Sequence, residues 1–261
     1  MTTRGTMRLD WRGAVVPVSI IVLAEIGFHG LVRNSDSLAP PSRIVMGLAE
    51  IVTDGTLAHA TLQTLATMLA GLAIGAGAGL ILGILLGFSQ LLRRASFLTI
   101  EMLRPIPSIA LLPLSLLVFG FGYRMEIAVI AFATFWPALI LTQSAVAQIE
   151  PRLIEVARLM GLSRLSFATK IVLPAAAPRL ITALRLAAGL ALVVAVTSEI
   201  VSNPQGLGYL LMNSQESLRP ERMFATLIWV GILGLLFNSA TLSLQQRLFA
   251  NRGGIDAEVE A

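Results

Sequence analysis

The sequence predicts an all-α integral membrane protein with about six transmembrane helices, and three observations carry that expectation. Of its 261 residues, 56% are hydrophobic and 13% charged, with a mean hydropathy of +0.81. Soluble domains average about 45–50% apolar and about 25% charged residues. Too few polar side chains are present to cover the molecule, so lipid is the solvent over much of its surface. Second, apolar runs of the length that crosses a roughly 30 Å hydrocarbon core recur along the chain. They lie near 13–32, 62–89, 98–120, 125–147, 180–201 and 223–246. Third, the basic residues segregate. Arg4, Arg8, Arg12, Arg93, Arg94, Arg152, Arg158, Arg164, Lys170, Arg179, Arg185, Arg247 and Arg252 make 13 on one side of these runs. Arg33, Arg43, Arg124, Arg219 and Arg222 make 5 on the other, and Arg104 falls within a run. The positive-inside rule then places both termini in the cytoplasm. The formal charge of +4 is accounted for by this topology, and no nucleic-acid partner is expected.

The first run follows the basic stretch MTTRGTMRLDWR and resembles a signal peptide. Its length of about twenty residues and the lack of a small-x-small cleavage site mark it instead as a retained helix. Glu25 and His29 are four residues apart on one face of it, so a self-satisfying pair is expected. His59 is expected at the interface before the second run. That run carries Gly71, Gly75, Gly79, Gly83 and Gly87 at strict four-residue spacing. In lipid, small residues that allow close backbone approach are a main source of helix adhesion. The stripe is expected to pack against a crossed partner.

The third run is interrupted by Pro105, Pro107 and Pro113. Lipid tolerates such breaks only where neighbouring helices or water satisfy the freed backbone groups, so the third and fifth runs are expected to line a pathway. Glu101 and Arg104, three apart, either pair across one turn or leave Arg104 to meet a passing anion. Glu199 is either a pathway residue or a helix-end anchor. GFGYR makes a tight link between the third and fourth runs.

Between the fourth and fifth runs stands a charged segment, EVARLMGLSRLSFATKIVLP. Pro151 and Glu155 suit a helix start, and Leu153, Val156, Ala157 and Met160 share one face. Gly161 can take positive φ and end that helix; Ser163 can cap the next. The segment is therefore either a surface helix lying on the membrane or two short helices at a sharp angle, held out for a soluble partner. The chain divides accordingly: 1–55 is the cytoplasmic N-terminus, first helix and external loop; 56–247 is the helical core, with the charged loop at about 150–175; 248–261 is a cytoplasmic tail.

Several functions are excluded. No cysteine is present, so disulfides, thiol catalysis and thiolate metal sites are absent. No P-loop or completed Gly-x-Gly-x-x-Gly occurs, no histidine has a second one at metal spacing, and no nucleophilic triad can be argued. The chain offers no catalytic centre. An ion-gradient-driven secondary transporter is the alternative to a subunit worked by partners, but such proteins carry internal repeats and buried ion ligands, and no repeat is seen.

The spacing Glu155-Val-Ala157, Gly161, then Ile171-Val-Leu173-Pro174 resembles the EAA loop of ABC importer permeases. Leu38-Ala-Pro-Pro41-Ser, Leu103-Arg104-Pro105-Ile-Pro107, Leu112-Pro113-Leu, Phe119-Gly-Phe-Gly122, Phe135-Trp-Pro137, Ser198-Glu199 and Gly206-Leu-Gly208 resemble the sulfonate, taurine and nitrate branch of that family. The resemblance runs from about Leu38 to Arg247. Val156 departs from the middle alanine of the loop, Thr67 stands where the branch often has arginine, and Thr142 stands where asparagine is common. The resemblance implies a type I permease architecture in a bacterial inner membrane. It implies two copies forming a pathway, two cytoplasmic ATPase subunits gripping the loops through Glu155, Ala157, Gly161, Ile171, Leu173 and Pro174, and an external binding protein. It implies no cofactor on this chain, with ATP and Mg used by the ATPase. Arg104, Pro105, Pro107 and Glu199 become the pathway candidates.

Overall fold

The computed structural model describes residues 11–31, 38–149, 152–153, 155 and 159–249, and no strand occurs among them. Four helical stretches are long and apolar enough to cross a membrane: Thr56–Phe88, Tyr123–Ala147, Ala168–Ser202 and Pro220–Ser243. A fifth is a broken pair, Gln90–Leu103 with Ser108–Phe119, bent by 78°. The first expected span lies in a helix of 21 residues, Trp11–Leu31.

The chain folds into two compact units. One comprises α1 (Trp11–Leu31), α2 (Pro41–Thr53), the first residues of α3 (Thr56–Phe88) and residues 210–229. The sequence reading did not anticipate α2. It starts where Pro40 is extended and Pro41 enters the first turn with the φ a helix needs and no orphaned N–H. The Glu25 carboxylate accepts from the Ser42 N–H at 3.0 Å and hydroxyl at 2.7 Å, holding α1 to the start of α2. Glu25 is therefore spent at least partly on Ser42; the His29 side chain lies outside the described residues. Gly47 lets α2 approach the start of α10 (Pro220–Phe249), since a Cβ there would stand 2.7 Å from the Glu221 carbonyl oxygen. Beside it, the Arg222 guanidinium donates to Glu50 and, at 3.4 Å, to Asp54.

The other unit comprises 59–209 and the rest of α10. Its centre is α6 (Tyr123–Ala147), packed along α8 (Leu173–Ser202). Gly120 and Gly122, at φ 73° and 114°, turn the chain tightly into α6 as the GFGYR link predicts. Along α8, Ala183, Ala187, Ala191 and Ala195 are all fully buried, a second four-residue row of small side chains. The sequence reading had passed over it because alanine reads as generic apolar filler.

The expected third span, 98–120, is corrected. Ser89 caps a new helix by accepting the Leu92 N–H at 3.3 Å, so α4 (Gln90–Leu103) starts eight residues earlier. It stops at Pro105, which has no N–H to continue the ladder. A single turn of 3-10 helix, Ser108–Leu111, and the short α5 (Leu112–Phe119) complete the broken span.

The expected fifth span, 180–201, is corrected as well. A short α7 (Arg164–Phe167) passes into a π-turn, Ala168–Val172, in which the Leu173 N–H reaches back to the Ala168 carbonyl, and this runs without interruption into α8. Pro174 and Pro178 each lack the N–H that would bond four residues back, and the π-turn absorbs the change of register before the first of them. The second half of the charged loop is thus the foot of the fifth span rather than a free helix. The 11-residue α9 (Gly206–Glu216) was unforeseen.

Candidate translocation cavity and coupling turn

The glycine stripe of α3 meets α6 at every step. A Cβ at Gly71 would lie 2.6 Å from the Ile130 Cβ, at Gly79 2.5 Å from the Phe135 carbonyl oxygen, at Gly83 2.7 Å from that of Leu139, and at Gly87 2.5 Å from the Val146 Cβ. Gly75 abuts Ala131 and Thr134 in the same way. The stripe is a packing seam, as the small-residue argument requires. The expected single crossing is corrected: the partner residues advance with the glycines, so the helices run alongside, in the same direction, over the whole stripe. Each four-residue step turns the stripe about 40° further round α3, so α3 and α6 stay in contact along it by winding around each other.

At one end of this pair sits a buried polar cluster. The Thr67 hydroxyl donates to Glu126 Oε1 at 2.7 Å, and Asn203 Nδ2 donates to Glu126 Oε2 at 2.8 Å. Glu199 Oε2 accepts the Gly208 N–H at 2.8 Å, and Thr64 Oγ1 accepts the Leu207 N–H at 2.9 Å. Glu126 and Glu199 are both buried. Gly206, at φ 90°, packs directly against the Glu199 carboxyl, which leaves no room for a side chain. The structure places Glu199 in this network at the junction of α8 and α9, and it is not among the residues that line the two cavities described below. Thr67, flagged as a departure, is a working donor here.

Arg104 has a different setting. It lines a cavity of about 410 Å³ with Ile106, Ser108, Phe132, Trp136 and Leu190 among its walls, and no other charged residue among those that line it. The break after α4 is what turns alternate residues 104, 106 and 108 toward this space; Pro105 and Pro107 make the break but do not line the cavity. Trp136 and Pro137 of α6 complete the wall. These were visible as Phe135-Trp-Pro137, although nothing in the sequence tied that motif to Arg104. A second cavity of about 450 Å³, lined by Arg93, Glu101, Gln143 and Gln148, follows along α6 and shares Ile140 with the first.

At the far end of the seam lies the charged turn. The backbone is helical at Arg152, Leu153, Glu155 and Leu159 and exposed at each; Ala157 lies outside the described residues. Gly161 takes φ 62° with nothing within 4 Å of a built Cβ, so the bend is a backbone requirement alone. Ser163 then caps α7, its hydroxyl accepting the Ser166 N–H at 3.3 Å. Leu159 is 87% and Met160 67% exposed, an apolar knob at the tip. Below it the turn is anchored. Val172 and Ala176 are buried with Ala145 and Val146, and the Phe88 and Phe167 rings stand 6.3 Å apart. Ile171, Leu173 and Pro174 are half-buried in that footing, so the sequence candidates divide into an exposed face carrying Glu155 and a packed base.

A multi-pass helical chain with a cavity beside its central helices and a braced, exposed turn at one end has the form of a membrane transport subunit. The chain belongs to the family described as binding-protein-dependent transport system inner membrane component, whose model matches residues 75–252. It is 31% identical to the putative aliphatic sulfonates transport permease protein SsuC of Bacillus subtilis, over 97% of this chain and 92% of that one. It is 30% identical to the nitrate import permease protein NrtB of Leptolyngbya laminosa (86% and 84% covered). It is also 30% identical to the taurine transport system permease protein TauC of Escherichia coli (81% and 78%). Its fold is similar to a chain of the inward-facing MetNI methionine ABC transporter, with a TM-score of 0.65, 23% identity and coverage of 71% of this chain and 93% of that one. A chain of a bacterial alginate ABC transporter in complex with an alginate-bound periplasmic protein matches with a TM-score of 0.64 at 16% identity, covering 93% and 98%. The protein is an integral membrane permease subunit of an ATP-binding-cassette importer, and ATP hydrolysis belongs to a separate subunit.

Proposed function

We propose that two copies of this chain form the pathway for a small organic or inorganic oxyanion of the sulfonate, taurine or nitrate kind. The observation that carries this reading is the Arg104 cavity: a single guanidinium, with no other charged residue among those that line the cavity, presents the positive charge that draws an anion in. An anion is expensive at membrane depth without such a partner, and a planar fork of donors suits oxyanions. The names of the relatives support the same substrate class. The permease pair sits in a bacterial inner membrane with both termini of each chain cytoplasmic. An external binding protein delivers the solute, and two ATPase subunits grip the coupling turns through Glu155, Ala157, Gly161 and the footing at Ile171, Leu173 and Pro174. The chain itself holds no cofactor; ATP and Mg are used by the ATPase. Closing of the ATPase pair moves the turns and rocks the helices between outward- and inward-open states.

The test is uptake of taurine, methanesulfonate or nitrate by liposomes carrying the permease, its ATPase and its binding protein. Arg104→Gln is expected to cut ATP-driven uptake at least about tenfold, as loss of a charge-assisted contact predicts, with ATPase co-purification unchanged. Uptake equal to the parent, or uptake driven by a proton gradient without the ATPase, refutes the reading.

A further inference from the structure

Glu101 and Arg104 share the last turn of α4, with Glu101 Oε1 and Arg104 Nη1 3.9 Å apart. That is within ion-pair reach and beyond hydrogen-bond range, so the pair holds charge against charge while no hydrogen bond links it. Both side chains are about half exposed, at 51% and 55%, and exposed pairs of this kind are weak. Their placement gives the weakness a use. Arg104 lines the first cavity and Glu101 the second, and the two cavities share Ile140. The pair thus stands at the boundary between them. The carboxylate also sits near the C-terminal end of α4, where the helix dipole disfavours negative charge. An oxyanion entering the first cavity can accept two hydrogen bonds from the guanidinium, which Glu101 in this position does not.

We propose that Glu101 is a tethered competitor for Arg104: it neutralises the guanidinium when the cavity is empty and yields it to an incoming anion, which sets how long that anion stays. The inference rests on reading Arg104 as the anion contact. Displacing Glu101 requires only a side-chain rotation, because both side chains are about half exposed. The released carboxylate faces the second cavity, where its charge discourages the anion from moving on until the helices rearrange.

Trp136 lines the first cavity with Arg104, so a tryptophan reporter is already in place. Of the three tryptophans, Trp11 and Trp229 are replaced by phenylalanine. The full chain is then placed in nanodiscs of neutral lipid, and quenching of Trp136 is measured with iodide as the anion probe and acrylamide as the neutral one. In Glu101→Gln, iodide quenching is expected to rise roughly 1.5- to 5-fold at low salt, the factor an exposed ion pair is worth. Acrylamide quenching should stay at the parent value. Glu101→Asp, with a shorter reach, should fall between the two. Iodide quenching that drops in Arg104→Gln but does not rise in Glu101→Gln would overturn the competitor role and leave the anion contact standing. No change in either variant would overturn both. A rise with acrylamide as well as iodide would show that the substitution merely opens the structure, and this also overturns the proposal.

Discussion

The difference between two glycines about 3 Å apart along one helix axis shows how local the seam is. A Cβ at Gly79 would meet the Phe135 carbonyl at 2.5 Å and the Leu139 N at 2.9 Å, whereas one at Gly77 meets nothing within 4 Å. Gly77→Ala should therefore leave thermal stability unchanged or raise it by about 0.5–1 kcal/mol through backbone entropy. Gly79→Leu should push α3 off α6, lowering stability by about 1–3 kcal/mol or more and reducing the yield of assembled complex. Normal assembly in Gly79→Leu would place the stripe against lipid. At the start of α10, hydrogen bonding to Arg222 holds the Glu50 carboxyl below its ordinary value of 4.5. A depressed carboxyl stabilises above its unfolded value and loses that contribution as pH falls through the folded one. The melting-temperature gap between the parent and Glu50→Gln is thus expected to be open at neutral pH and to close in acid. A gap that widens in acid contradicts the pairing. The four-residue spacing of the glycines was legible in the sequence because it depends on one helix. The Thr67–Glu126 and Asn203–Glu126 contacts were not, because each joins segments far apart in the chain and only the fold brings them together.

At the scale of elements, the bend at Gly161 and the cap at Ser163 followed from local chemistry and appear where the residue types placed them. What sequence reasoning lost was continuity. A proline near a charged run reads as a stop, yet Pro174 lies inside a helix because a π-turn ahead of it resets the register. The broken third span was foreseen in kind from its three prolines and misplaced in extent, since the decisive signal was the modest Ser89 cap. For the turn itself, Gly161→Val should incur the left-handed penalty of about 1–2 kcal/mol or swing α7 away, while Gly161→Asn, which tolerates that conformation, should retain partial function. Glu155→Lys reverses charge on the exposed face. Gly161→Val and Glu155→Lys are expected to abolish binding-protein-stimulated ATP hydrolysis and weaken ATPase co-purification, with membrane insertion near normal. Parent-like hydrolysis in both would reduce the turn to a surface helix.

For the molecule as a whole, the charge asymmetry predicts a topology that single cysteines can check, because the chain has none of its own. Cysteines at positions 2 and 255 should resist an impermeant thiol reagent in intact cells and react after permeabilisation; labelling in intact cells would invert the arrangement. The parallel course of α3 and α6 fits spans two and four of that topology, which cross in the same sense. The π-turn bears on the same whole. Ala168–Ser202 is one helix of 35 residues, about 50 Å long, and each residue along it sets angle as well as height. Removing one residue from Ala168–Val172 would shorten it by only about 1.5 Å yet turn everything before it through about 100°. The exposed knob at Leu159 and Met160 would then point more than a quarter-turn away from its present direction while the membrane half kept its place. On the proposed coupling role, the five residues of the π-turn act as the timing mark of the machine: they fix the phase at which a push from outside the membrane is received inside it.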